Sequence, residues 1–248
     1  MSLCDKCVSG VRHAGHPEGK IDTIADVECY ISTPTGEYLK NKVLLFLPDI
    51  FGIPLNNSKL LADDFARNGF KTIIPDYLNG EAVPADEMAK GTFPIQEWLP
   101  RHGPAQTRPT LDKVIFGLKE QGVDSLAAIG FCFGGRYAFD LAFENITKVT
   151  VVNHPSLLKN PEDLERYAAE SKAPLLINSC EVDQMFPPEF QAKADEVLKG
   201  KFVPGYKREF WAGCEHGFSN RGDVNKPEVK IGKEGAFKAA VEWLRENF

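Results

Sequence analysis

Leu126-Ala127-Ala128-Ile129-Gly130-Phe131-Cys132-Phe133-Gly134-Gly135 is the stretch on which the fold turns. A short apolar run ends in Gly-x-Cys-x-Gly and gives way to a helical pattern, Arg136 to Phe143. This is the form of a nucleophile elbow with cysteine in place of serine. The reason is steric: a residue on a sharp strand-to-helix turn takes strained dihedral angles, and only glycine fits two positions before and after it. The helix that follows aims its N-terminal N–H groups and positive dipole end at the sulfur, favouring the thiolate. With 21 glycines in 248 residues, six cysteines produce only about 0.04 such matches by chance. A dinucleotide fingerprint would need glycine where Cys132 stands.

On either side, strand-like apolar runs alternate with amphipathic stretches. The runs are Val43 to Leu47, Lys71 to Ile74, Leu126 to Ile129, Val149 to Val152, Leu175 to Ile177 and Arg208 to Trp211. The predicted helices are Asn57 to Asn68, Leu111 to Gln121, Arg136 to Phe143, Pro188 to Leu198 and Gly235 to Phe248. Near-continuous apolar strands alternating with helices imply a mostly parallel sheet covered on both faces. Together with the elbow this predicts an α/β-hydrolase fold, with residues 1–20 an arm and 21–248 one domain. Asn79 to Pro109, long and proline-rich with Trp98, Arg101 and His102, reads as a lid or pocket wall.

In such sheets the ligand sits beyond the C-terminal strand ends, and the elbow's partners follow in the order nucleophile, acid, histidine. Asp183 follows the run Leu175 to Ser179, and His216 follows Lys207 to Trp211. His216 would hold the thiol proton while Asp183 fixes its tautomer and stabilises the imidazolium. The plainer alternatives are a loop histidine and a helix-capping aspartate. His154, in Val151-Val152-Asn153-His154-Pro155, also ends a strand and either lines the pocket or is a satisfied core histidine. Arg101 and His102 are pocket candidates from the lid side.

The net charge of −6 and a pI near 5.5 offer phosphates no basic face, so no nucleic-acid partner is expected. No segment approaches the roughly 18 apolar residues of a membrane span, and the N-terminus lacks a secretory signal, so no membrane partner and a cytoplasmic location are expected. The six cysteines then read as thiols, with Cys29 and Cys180 as small core residues. Cys4 and Cys7 with His13 and His16 could suggest zinc, but no second cysteine pair follows, and neither metal nor cofactor is expected. Oligomeric state is not legible.

These residues resemble the dienelactone hydrolase (carboxymethylenebutenolidase) family, particularly its fungal and eukaryotic branch, from about Gly19 to the C-terminus. Three motifs carry the resemblance: Leu47-Pro48-Asp49-Ile50-Phe51-Gly52, the elbow Gly130 to Gly135, and His216-Gly217-Phe218 with Arg221. It implies hydrolysis of small esters or lactones through an acyl-thioester. It further implies an oxyanion hole from the backbone N–H groups of Ile50 and Phe133, and an acid before Ile50 that contacts the resting cysteine. Bacterial members carry glutamate there; Asp49 is one methylene shorter, and a turn-forming aspartate is the alternative. Arg221 resembles the family's cation near the substrate carboxylate, with a solvated surface arginine as the alternative. A hydrolase-fold binding protein or a redox sensor using Cys132 would be the competing functions, the latter needing a resolving cysteine nearby.

Overall fold

The computed structural model describes residues 10–248; Cys4 and Cys7 lie outside them. An eight-stranded sheet runs through the chain in the order β1-β2-β4-β3-β5-β6-β7-β8. The strands are β1 (Lys20–Ile24), β2 (Val27–Ser32), β3 (Lys42–Leu47), β4 (Thr72–Pro75), β5 (Ser125–Phe131), β6 (Val149–Asn153), β7 (Leu175–Val182) and β8 (Tyr206–Glu215). β1 and β2 are antiparallel, β2 pairs antiparallel with β4, and every pairing from β4 to β8 is parallel.

The apolar runs are continuous because each strand feeds two cores at once. In β3, Val43, Leu45 and Leu47 join one buried cluster, while Leu44 and Phe46 join the cluster on the opposite face. β7 does the same with Leu175 and Ile177 against Leu176. The period-2 pleat sends alternate side chains to opposite faces, so both must be apolar when helices cover both. The covering helices include α1 (Asn56–Arg67), α4 (Pro104–Glu120), α5 (Phe133–Phe143), α6 (Glu162–Glu170), α7 (Pro188–Leu198) and α9 (Pro227–Asn247).

Several boundaries differ from the sequence reading, each for a physical reason. α9 begins at Pro227, eight residues before Gly235. Gly232 and Gly235 serve close packing there: a Cβ on Gly232 would collide with Cys214 Sγ, and one on Gly235 with the Trp211 ring. α6 was not anticipated, since Glu162–Glu170 buries only Asp163, Leu164 and Tyr167 and is otherwise exposed. Asn79 to Pro109, read as a lid or pocket wall, carries short helices of its own. It contains α2 (Ala85–Ala89), α3 (Ile95–Trp98), a 3-10 turn (Leu99–His102) and the start of α4, which carries Pro109 inside it. Trp98 Nε1 donates to Glu81 O at 2.7 Å, and the Trp98 and His102 rings stack with centroids 3.8 Å apart.

The described part of the arm is tied down on α1. Arg12 donates from its backbone N and from Nε to the two Asp64 carboxylate oxygens, both at 2.7 Å. Asp63, 2% exposed, accepts from the Glu18 and Gly19 backbone, the Tyr30 hydroxyl and Arg12 Nη2. Two buried carboxylates thus anchor residues 12–19 beside β2. Asp63→Ala leaves these donors unpaired and is expected to cost about 3 kcal/mol, roughly 6–12 °C in Tm for a chain of this size. Tyr30→Phe, which removes one donor, should cost about 1 kcal/mol; urea titration of both variants checks the ratio.

Candidate active site

Cys132 sits between β5 and α5 as the N-cap of α5, with φ 50° and ψ −112°. A side chain in this left-handed region is held there only by its surroundings, and here the surroundings leave no alternative. A Cβ on Gly130 would lie 2.5 Å from Gly134 O, and one on Gly134 would overlap Leu47 O. The turn is therefore closed on one side by α5 and on the other by the end of β3. Backbone bonds fasten it to the end of β6: Cys132 N donates to Asn153 O at 3.1 Å, and Ser156 N to Cys132 O at 3.0 Å.

Asp183 leaves β7 on a turn in which its Oδ1 accepts from Met185 N at 2.8 Å and Phe186 N at 3.1 Å. The same oxygen takes His216 Nδ1 at 2.9 Å. The side chain is 1% exposed and cannot swing away without breaking the turn. Burial alone would push His216 down, but the hydrogen bond to Asp183 and the electrostatic pull of Asp183 and the nearby Cys132 side chain lift it to about 9. Asp183 and His216 are thereby joined, with the Cys132 side chain close enough to act electrostatically on the imidazole.

The backbone N–H groups of Ile50 and Phe133 donate to no acceptor among the described residues. Phe133 opens α5, where the first N–H groups of a helix have no intrahelical partner. Asp49 differs from expectation. Fully buried, it accepts from Phe51 N at 3.1 Å, Asn220 Nδ2 at 3.3 Å and Arg221 Nη1 at 3.1 Å; none of its hydrogen bonds goes to Cys132. Burial raises its carboxyl, opposed by Arg221, Phe51 N and Asn220. Arg221 is accordingly an ion-pair partner as well as a rim residue, lying over the Phe51 ring with its side chain 30% exposed. Gly217, at φ 95°, permits this: a Cβ there would come within 2.6 Å of the guanidinium carbon.

Two sequence candidates lie elsewhere. His154 is 0% exposed and so cannot line a pocket. It backs onto His216, ring centroids 5.0 Å apart, with Nε2 on Ser219 Oγ at 2.9 Å and Nδ1 unpartnered. Burial and the nearby His216 hold it well below the usual histidine range, hence neutral. Arg101 points to solvent, 64% exposed and 3.8 Å from Glu81. It is His102, with Leu99, Phe133, Leu157 and Lys159, that lines a cavity of about 540 Å³ beside the elbow. A second cavity of about 250 Å³ lies on the other flank, lined by His216, Gly217, Arg221 and Lys226. Sequence reading passed over Ser156 and Asn220; Ser156 could have been found, standing three residues past the end of β6.

No group of metal-ligating side chains occurs among the described residues, and no described helix is long and apolar enough to cross a membrane. His13, the described member of the suspected zinc set that makes a side-chain bond, pairs with Glu234.

A group whose folded pKa is raised stabilises the fold fully below its unfolded value, and that stability is lost as pH rises through the folded value. For His216 the window runs from 6.5 to about 9. The buried thiols of Cys29, Cys180 and Cys214 are also pushed up by burial, but from 9.0, so they act above it. Between pH 6.5 and 8.5 the urea midpoint of the protein should therefore fall, and fall distinctly less in His216→Gln. Equal slopes would show that the imidazole is not held protonated by its partners.

The family model for the dienelactone hydrolase family matches residues 27–248. The hydrolase pyvD of Aspergillus violaceofuscus is 34% identical over 241 residues, covering 97% of this chain and 95% of that protein. Dienlactone hydrolase 1 of Gibberella moniliformis is 29% identical over 249 residues, covering 98% and 92%. A crystal structure described as a dienelactone hydrolase of Klebsiella pneumoniae superposes with a TM-score of 0.69 at 19% identity, over 89% of this chain and 93% of that one. With its mostly parallel sheet and elbow the chain has the α/β-hydrolase fold, and it belongs to the dienelactone hydrolase family of hydrolases acting on ester or lactone bonds.

Proposed function

We propose that this hydrolase opens small esters or lactones with Cys132 as nucleophile, His216 as base and then acid, and Asp183 as the group that orients His216. The observation that carries the reading is the elbow. Cys132 is held in a left-handed conformation at the start of α5, while the imidazole of His216 hydrogen-bonds a buried carboxylate and lies within electrostatic reach of the Cys132 side chain.

In the reaction Cys132 Sγ attacks the carbonyl carbon, and the charge moves onto the carbonyl oxygen. The unpaired N–H groups of Ile50 and Phe133 receive that oxyanion, which needs donors fixed in advance of charge development. Collapse expels the alkoxide, which takes its proton from His216 and leaves an acyl-thioester on Cys132. In a lactone the alkoxide stays tethered to the acyl group. His216, now neutral, removes a proton from water, whose oxygen attacks the thioester; the thiolate departs and the carboxylic acid is released. Asp183 keeps Nδ1 protonated throughout, so that Nε2 is the nitrogen that works.

Arg221 supplies the cation for a substrate carboxylate, its Nη1 shared with Asp49 and the rest of its guanidinium open to the cavity beside His216. A carboxylate-bearing lactone competes with Asp49 for it, so Asp49 acts through Arg221 rather than on the thiol directly. No cofactor is required by this scheme. Four free thiols among the described residues suit a reducing compartment, and we place the enzyme in the cytoplasm, with residues 21–248 as its one catalytic unit. Among the described residues the redox-sensor reading finds no resolving partner: Cys180 and Cys214 are buried in a separate cluster, and burial pushes both thiols up, Cys214 to about 11.

Cys132→Ala and His216→Ala should each lower turnover of a p-nitrophenyl ester by about three orders of magnitude or more, and Asp183→Asn by less. Near wild-type turnover by Cys132→Ala would remove the nucleophile assignment. Arg221→Ala should lose about ten- to a hundredfold in kcat/KM on an anionic lactone and much less on a neutral ester. Equal losses on both would make the Asp49 ion pair its whole role.

A further inference from the structure

The segment that leaves β6 carries a second group in contact with the reacting sulfur. Ser156 is 4% exposed, and its Oγ lies 3.7 Å from Cys132 Sγ. Among the described residues that hydroxyl has no other hydrogen-bond partner. A buried hydroxyl without a partner carries a desolvation cost, so Ser156 either serves the sulfur or is a defect of the core.

The backbone argues against a defect. His154 and Leu157, on either side of the Pro155-Ser156 pair, both take positive φ, 38° and 62°, a conformation that non-glycine residues rarely adopt. Three bonds impose it: His154 N donates to Asn178 O at 2.8 Å, Ser156 N to Cys132 O at 3.0 Å, and Cys132 N to Asn153 O at 3.1 Å. Packing adds a further constraint, since a Cβ on Gly135 would meet Pro155 Cβ at 2.7 Å. Pro155 is pressed against the first turn of α5 by a residue that has no side chain to prevent it. Strain of this kind persists where the surroundings over-determine it, and it concentrates at functional sites. Here its effect is to fix Oγ against Sγ.

We propose that Ser156 is a catalytic residue of the resting enzyme, whose hydroxyl donates a hydrogen bond to the Cys132 thiolate. The inference rests on Cys132 being the nucleophile. The sulfur would then stand between two donors, His216 on one side and Ser156 on the other, and no proton leaves the serine. When the sulfur bonds to the acyl carbon its charge passes to the carbonyl oxygen, and the serine bond weakens as the oxyanion bonds form. When the thioester is cleaved, Ser156 receives the departing thiolate again. Its contribution is greatest where sulfur carries charge and least in the acyl-enzyme.

Alkylation of Cys132 by iodoacetamide, followed by peptide mass mapping without substrate, tests this directly between pH 6 and 9.5. Ser156→Ala should slow labelling at pH 6 by about tenfold, the low end for a bond to a charged group given the long contact to sulfur. It should come within about threefold of wild type at pH 9.5, where the thiolate no longer needs the hydroxyl to form. The isosteric pair Ser156→Thr and Ser156→Val separates hydroxyl from packing: Thr should follow wild type and Val should follow Ala. On a p-nitrophenyl ester, Ala and Val should lower kcat with KM nearly unchanged. Thr and Val behaving alike, or slowing by one factor at every pH, would overturn the serine's role. If Cys132→Ala abolishes turnover while Ala and Val at 156 label normally, only the serine proposal fails; if Cys132→Ala stays active, the nucleophile itself is misassigned.

Discussion

The absence of room around the elbow is what the rest of the structure answers to. Gly130 approaches Gly134, and Gly134 lies against Leu47 O so closely that neither tolerates a Cβ. β5, the start of α5 and the end of β3 are thereby drawn together at one point. The chain between them has space only for a sharp turn, with Cys132 at positive φ and its side chain at the strand ends. The parallel order β4-β3-β5-β6-β7-β8 then delivers every other site group to the same edge. Asp49 and Ile50 follow β3, Ser156 follows β6, Asp183 follows β7 and His216 follows β8.

Fixed backbone geometry is matched by fixed charge. The Asp183 carboxylate is held by two backbone N–H groups of its own turn, so the imidazole it orients inherits a defined position. Behind that imidazole stands a second histidine, His154, which burial keeps neutral and which therefore adds no competing charge. On the far side, Asp49 and Arg221 form a pair whose acid is buried and whose base reaches the cavity. A buried charge is stable only with its partner, so this pair links the loop after β3 to the loop after His216.

The sheet, most helices and the placement of Cys132, Asp183 and His216 just after strands were legible because each rests on local pattern: apolar periodicity, a glycine-flanked turn, and position after a strand. What escaped depends on contacts between distant segments. Gly232 and Gly235 look like helix breakers until Cys214 and Trp211 are seen packed on them. His154 and Arg101 were expected at the pocket from their place in the chain; burial of one and exposure of the other follow from how the neighbouring segments fold over. The pairing of Arg221 with Asp49 joins residues 172 positions apart, a separation at which no motif could report it. The docking of the first described residues on Asp63 and Asp64 was hidden in the same way, since polar stretches near a terminus carry no periodicity.

The central claim is that an acyl group is carried on Cys132. Intact-mass and peptide-mass spectrometry after acid quench, during turnover of an ester whose thioester hydrolyses slowly, measures that species itself. The account predicts a transient adduct equal in mass to the acyl group, located on the peptide containing Cys132 and decaying as carboxylic acid appears. Steady hydrolysis with no adduct under any quench time, or an adduct on a hydroxyl side chain instead, would contradict it.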